Sequence, residues 1–311
     1  MGRFDDLYNA RHQLVLDGAM GTELQRRGYD LNDDLWSARL LRDDPGAIQA
    51  VHLDYMRAGA DIVTGASYQA SVPGFLRAGW TEAEAEALLA RSMALVFSAR
   101  RRFLEERGAD KGSPDVRSLP LAAGDIGPYG AFLANGSEYT GDYRLKRSQY
   151  RAFHLRRMQI LKEAGAEFFA VETIPRLDEA EVCADLLEDL ACDYWISFSF
   201  RNEREISDGT DLKTVCVNCV MPALAAAVIR GFRENTDLPV CAYPNSGELY
   251  DKRKKILLPP EDGLCFQDRI QAWLDAGATI LGGCCWTRPD DIRAEAGLVR
   301  RRRLAERGNV L

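Results

Sequence analysis

Two cysteines stand side by side late in the chain, Cys284 and Cys285, directly after Gly282 and Gly283. The run Thr279-Ile280-Leu281 before them reads as a short buried strand. Neighbouring residues on a regular strand point to opposite faces, so adjacent thiols can meet one metal ion only where the strand stops being regular. Two glycines permit that break, because glycine reaches backbone regions closed to other residues. Cys219 ends a second apolar run, Val215-Cys216-Val217-Asn218-Cys219, and adds a third thiol. Three thiolates from two strand ends suit a zinc ion that keeps one coordination position open for a substrate. The competing reading is packing, since free cysteine is usually a small buried hydrophobe. The double glycine and the second thiol-bearing strand end favour the metal.

Thiols at strand ends require a sheet to hold them, and the chain shows its winding. A helical stretch, then Ala-Gly-Ala, one polar residue and an apolar strand recur three times, at 57–63, 163–169 and 275–281. Glycine just past a helix closes it in the left-handed conformation. Apolar strands without alternation are covered on both faces, as in a parallel sheet. Eight strands are expected, at 14–17, 62–67, 119–124, 168–172, 194–200, 215–219, 239–244 and 279–283. Helices are expected between them at 45–57, 81–107, 147–164, 177–190, 222–234, 266–276 and 289–307. Eight parallel strands with intervening helices predict an α/β fold, a (β/α)8 barrel in one domain over 1–311. An open doubly wound sheet is the alternative, weakened because no Gly-x-Gly-x-x-Gly follows the first strand.

Chemistry in such barrels sits where the strands end. The expected ends carry Asp17-Gly18, Ser67-Tyr68-Gln69, Asp125, Glu172-Thr173, Asn218-Cys219, Pro244-Asn245-Ser246-Gly247 and Cys284-Cys285. Carboxylates and thiols crowd this rim. The three histidines, His12, His52 and His154, fall in helical or N-terminal segments away from it and are read as non-catalytic.

These runs together resemble the homocysteine S-methyltransferase family along nearly the whole chain. The resemblance rests on Leu16-Asp17-Gly18-Ala19-Met20-Gly21-Thr22-Glu23-Leu24, Ala66-Ser67-Tyr68-Gln69-Ala70 and Gly127-Pro128-Tyr129-Gly130-Ala131. It rests equally on Gly136-Ser137-Glu138-Tyr139-Thr140-Gly141-Asp142-Tyr143, Val171-Glu172-Thr173, Tyr243-Pro244-Asn245-Ser246-Gly247-Glu248 and Gly282-Gly283-Cys284-Cys285. The run from Gly136 resembles the branch that uses S-methylmethionine or S-adenosylmethionine. The resemblance implies methyl transfer from such a sulfonium to L-homocysteine, giving methionine. It implies one Zn2+ per chain on Cys219, Cys284 and Cys285, and Asp17 and Glu172 holding the homocysteine amino group. Gly18, Ser67, Tyr129, Asn218 and Asn245 complete the implied substrate-binding set. The mixed aromatics and carboxylates Tyr129, Glu138, Tyr139, Asp142 and Tyr143 suit a sulfonium cation.

Three features depart from the family pattern. Only 14 residues, 201–214, separate the fifth and sixth strands. They are polar and loop-like, so helix five is expected to be missing or reduced to a turn. The barrel flank beside Cys219 should then be thin, its apolar surface exposed, covered by another subunit or covered by a rearranged neighbouring segment. Cys216 stands in place of a glycine and creates Cys216-x-x-Cys219; at odd spacing the two thiols are expected to face opposite ways, which keeps Cys216 out of the ligand set. Trp286 and Asp125 stand where smaller or polar residues and serine, respectively, are commoner. The short crossover motivates a second reading, a degenerate member that binds zinc or ligand without turnover.

Composition bounds the partners. The net charge of −7 argues against nucleic acid. The basic run Arg300-Arg301-Arg302-Arg303 is expected on a solvated face of the last helix. No apolar stretch is long enough to span a membrane, and the first residues lack the apolar core of a signal peptide. Eight cysteines in that setting predict reduced thiols and a cytoplasmic location. Oligomeric state stays open.

Overall fold

The three Ala-Gly-Ala copies each do the same work in the computed structural model, which describes residues 2–108, 119–212, 216–251, 256–260 and 262–308. Gly59, Gly165 and Gly277 sit at φ 114°, 95° and 107°. The alanine after each donates back to a carbonyl five residues earlier, Ala60 to Tyr55 (3.1 Å), Ala166 to Leu161 (3.0 Å) and Ala278 to Trp273 (3.1 Å). Each bond closes a helix (Pro45–Ala58, Arg147–Glu163 and Phe266–Asp275) and turns the chain into the next strand. At the other end, Thr81 and Glu84 cap the long helix Glu82–Glu106 reciprocally.

All eight expected strands form: β1 (Leu14–Val15), β2 (Ile62–Thr64), β3 (Leu121–Ile126), β4 (Phe168–Ile174), β5 (Tyr194–Phe198), β6 (Cys216–Asn218), β7 (Cys241–Tyr243) and β8 (Ile280–Leu281). Val215, expected to begin the sixth strand, lies outside the described residues. The strands pair in parallel in the order β1-β8-β7-β6-β5-β4-β3-β2. Leu16 bridges Ile62, and Asp61 donates to the Val15 carbonyl at 2.7 Å, which closes β1 onto β2. The sheet is therefore a (β/α)8 barrel, as expected.

Side chains alternate inward and outward along each strand. Leu14, Leu16, Ile62, Leu121, Phe168 and Trp195 fill the barrel interior, while Val15, Val63, Ala122, Phe169 and Val217 pack outward against the helices. A helix that the sequence reading passed over, Arg3–Arg11, joins the inner cluster: Leu7 is buried and Phe4 stacks on Phe168 at 4.7 Å. The C-terminal arginine run is solvated except at Arg303, which is largely covered. Arg302 pairs with Asp275, and Arg303 pairs with Asp61 at 2.8 Å.

Helix five is absent between β5 and β6 among the described residues. In its place the chain makes antiparallel bridges, Phe200 to Ile206 and Glu205 to Asp211. The expected exposed flank does not appear there. Ile206 is fully buried, Phe200 meets Phe232 of the helix Pro222–Arg233 at 6.0 Å, and Leu212 packs on the same core. The rearranged segment covers the flank itself, with one isoleucine at its centre. Ile206→Ala should therefore cost about 2–4 kcal/mol in urea unfolding, a large effect for one residue of an irregular loop. A loss below about 1 kcal/mol would show that the segment is not what seals the flank.

Candidate active site

The rim of the barrel is built by departures from strand geometry. Cys216 points into the interior and Val217 outward, so continued alternation would turn Cys219 away from the axis. Cys219 instead takes φ 54°, a left-handed backbone that breaks the alternation and brings its thiol inward. The expectation that Cys216 and Cys219 face opposite ways is thus corrected. Both point inward, but Cys216 lies lower, in register with Cys241 in the hydrophobic interior. It stays outside the thiol group, for a different reason from the one anticipated.

The reason for the double glycine also differs. Neither Gly282 nor Gly283 has a positive φ. A Cβ on Gly282 would stand 2.6 Å from Leu16 Cβ, and one on Gly283 2.3 Å from Thr287 Oγ1. Gly282 permits close approach of the end of β1, and Gly283 lets the following loop fold back at Thr287. The turn itself falls at Trp286, φ 67°. Backbone bonds lock the loop: Cys284 donates to Pro244 O (2.8 Å), Ser246 to Cys285 O (3.0 Å) and Trp286 to Thr22 Oγ1 (2.9 Å).

The sulfurs of Cys219, Cys284 and Cys285 all lie within 4.8 Å of one another, with Cys219 and Cys285 3.5 Å apart. Zn–S bonds of ~2.3 Å in a tetrahedron separate sulfurs by about 3.8 Å, so this donor set fits zinc. Hydrogen bonds from Cys219 and Cys284 hold the Cys285 thiol well below its ordinary pKa, and the same bonding raises Cys284. The Cys219 thiol reaches the Tyr139 hydroxyl at 3.7 Å.

The thiols stand on the wall of a cavity of about 560 Å³. Asp17, Asp125 and Glu172 line the same cavity, with Gly18, Trp36, Tyr68, Glu138, Tyr139 and Tyr243. Thr64 donates its amide to Asp17 at 2.9 Å and so aims that carboxyl. Burial pushes the Asp17 pKa well up, and the charge of Glu172 adds to the rise. Burial likewise pushes Glu172 up to about 7, against hydrogen bonds with Tyr243 and Asp125 that lower it. Buried acids of this kind, with no ion-pair partner among the described residues, favour a cationic ligand. A smaller notch of about 210 Å³ at the opposite end gathers arginines around Asp61 and includes no thiol.

The anticipated residues divide into two groups. Asp17, Gly18, Glu172, Cys219, Cys284 and Cys285 meet in the cavity. Ser67, Tyr129, Asn218 and Asn245 do not line it. Ser67 donates to the Asp125 carbonyl at 2.7 Å. Tyr129 packs against Phe132, Tyr143 and Phe153. Asn218 spends its amide on Thr173, accepting at 3.0 Å and donating at 2.7 Å, where β4 shifts register and Thr173 takes φ 58°. Asn245 is tied by its backbone amide to Val220 O at 3.0 Å.

The homocysteine S-methyltransferase family model matches residues 14–299. The chain belongs to this family. It is 40% identical over 303 residues to the homocysteine S-methyltransferase YbgG of Bacillus subtilis, covering 92% of this chain and 94% of that protein. It is 42% identical over 297 residues to the homocysteine S-methyltransferase of Escherichia coli, covering 90% and 93%. The metallated crystal form of the Escherichia coli homocysteine methyltransferase MmuM superposes with a TM-score of 0.83 at 39% identity, over 95% of this chain and 99% of that one.

In this member of the homocysteine S-methyltransferase family, three cavity residues were given no site role by the reading of the sequence. Thr64, which aims Asp17, looked like an ordinary strand residue. Tyr243 reaches both Glu172 and, at 2.5 Å, Ser197 Oγ. Asp125 was placed on the rim but given no role, although a carboxyl inside a wholly buried strand is the same signal that marked Glu172. None of the three histidines lines the cavity. His52 is buried within its helix, His154 is held by Glu179 at 2.8 Å, and His12 caps the N-terminal helix.

Proposed function

We propose that this protein is a zinc-dependent homocysteine S-methyltransferase, moving a methyl group from a sulfonium donor, S-methylmethionine or S-adenosylmethionine, to L-homocysteine to give methionine. The observation that carries this is one cavity holding three thiols within 4.8 Å of one another together with the buried carboxyls Asp17 and Glu172. Cys219, Cys284 and Cys285 would hold the zinc. When bound, it supplies deprotonation of the acceptor thiol at neutral pH.

Asp17 and Glu172 receive the acceptor's ammonium group, whose positive charge favours their ionised forms. Gly18 is hemmed in by Tyr55 and Thr287, so it keeps the wall beside Asp17 tight. Tyr68, Tyr139 and Glu138 offer ring faces and a carboxyl to a sulfonium. Attack of thiolate sulfur on the methyl forms one S–C bond as the sulfonium S–C bond breaks, and two neutral thioethers result. No side-chain general base is needed, which agrees with a cavity lined by no histidine.

Incubating the purified protein with homocysteine and each donor in reducing buffer, alongside metal analysis, tests this reading. Methionine formation with about one zinc per chain is expected. Bound zinc without product from either donor would favour the non-catalytic reading, and a metal-free, inactive protein would overturn both.

A further inference from the structure

Three of the cavity's carboxyl groups, Asp17, Asp125 and Glu172, stand together where two would satisfy one ammonium. Asp125 is only 6% exposed, and its Oδ1 meets no hydrogen-bond donor among the described residues. Its backbone is pinned on both sides by Ser67: the Ser67 hydroxyl donates to Asp125 O at 2.7 Å, and the Asp125 amide donates to that hydroxyl oxygen at 3.3 Å. The side chain is therefore aimed at the cavity by a fixed support. Asp125 and Glu172, from the neighbouring strands β3 and β4, line the cavity together, and burial, with Glu172 beside it, pushes the Asp125 pKa well up. Two buried carboxyls side by side cannot both ionise, so the pair shares a proton when no cation is present.

The groups around the pair are mostly acidic or neutral. Asp17 faces it from the end of β1, and Tyr243 and Cys241 face it from β7. Arg157, from the helix Arg147–Glu163, acts on Asp125 as a positive charge, but the two share no hydrogen bond among the described residues, and its Nη2 is turned to Gly127 O and His154 Nδ1. A buried oxygen without a partner beside a proton-sharing pair calls for a cation from the ligand.

We propose that Asp125 is a third ammonium-binding carboxyl: the amino group of the amino-acid substrate enters between Asp17, Asp125 and Glu172 and replaces the proton that Asp125 and Glu172 share. This rests on the homocysteine reading of the same cavity. The balance is one positive charge in and one proton out to solvent, with the ammonium keeping its own protons. Binding is thereby coupled to proton release at the amino end, separately from any proton lost by the acceptor thiol. It also makes the site selective for a free amino group, since an N-acylated analogue brings no charge to replace the proton.

Titration calorimetry of the zinc-loaded protein with L-methionine isolates this proton, because methionine has the ammonium but no thiol. Run at neutral pH in two buffers of different ionisation enthalpy, wild type should release a large part of one proton per methionine bound. In D125N and in D125S the release should fall by at least half and binding should weaken roughly 10-fold, with zinc content unchanged. Two variants of different size guard against a local packing fault in either. Proton release equal to wild type in both overturns the proposal, whatever their affinity. A zinc-loaded wild type that shows no methionine binding overturns the homocysteine reading instead.

Discussion

Cys284→Ala and Cys285→Ala should each lose the metal and, with it, methyl transfer. Each leaves two sulfurs at a site where zinc needs three protein ligands and one open position. Binding should fall from about one zinc per chain to below ~0.1 after dialysis against a mild chelator, and methionine formation should drop out of detection. The barrel should persist. Its interior and outer cores are built from strands and helices that do not depend on the loop after β8, so far-UV circular dichroism should be unchanged. If both variants keep stoichiometric zinc, the three-thiolate centre is wrong.

Asp17→Asn and Glu172→Gln should weaken homocysteine instead of zinc. A hydrogen bond to a charged group contributes roughly 1.5–3 kcal/mol, so each variant should raise the homocysteine dissociation constant about 10- to 100-fold. Unchanged affinity in both would remove these carboxyls from the amino-group site. Glu172→Gln carries a second expectation of opposite sign. The Glu172 pKa is raised to about 7 in the folded protein, above its ordinary 4.5. Between those values the folded state binds more protons than the unfolded one, so stability falls as pH rises and the full cost is reached above about 7. Glutamine removes that cost. The ligand-free variant should melt roughly 3–6 °C higher than wild type at pH ~8, with the gain shrinking toward nothing near pH ~5. Weaker binding with greater stability is the signature of a carboxyl held in place for its ligand.

The barrel was legible because its signals are local. Ala-Gly-Ala needs a left-handed glycine and a bond reaching back five residues, and Gly59, Gly165 and Gly277 supply it wherever they occur. Buried parallel strands announce themselves by continuous apolar runs. The helix Arg3–Arg11 was missed because it buries a single leucine in an otherwise polar stretch, a pattern with no clear face. Short rim helices such as Met20–Arg26 and Ser137–Thr140 are too brief to show periodicity.

At the site, the type of residue was readable and its partner was not. The thiols and the acids could be picked out by chemistry at strand ends. Whether Ser67 or Asn218 faces a ligand or braces a neighbour depends on hydrogen bonds across 58 and 45 residues of sequence, which no local pattern records. The parity argument on Cys216 and Cys219 failed for a related reason. It assumed a regular strand, and the strand ends one residue too early.

The bracing by Asn218 has a metric consequence. Its side chain fastens the bend at Thr173, next to Glu172, to the residue before Cys219. The carboxyl that would receive an amino group and a sulfur that would hold the metal thus belong to one stiff span, with a single amide as its tie rod. Such a span would work as a gauge of molecular length for an acceptor bound as proposed. An acceptor that fits places its charged nitrogen at one end and its sulfur at the other without moving the protein. An amino thiol shorter by one methylene would have to let go of one end, and the side chain that enforces this touches neither.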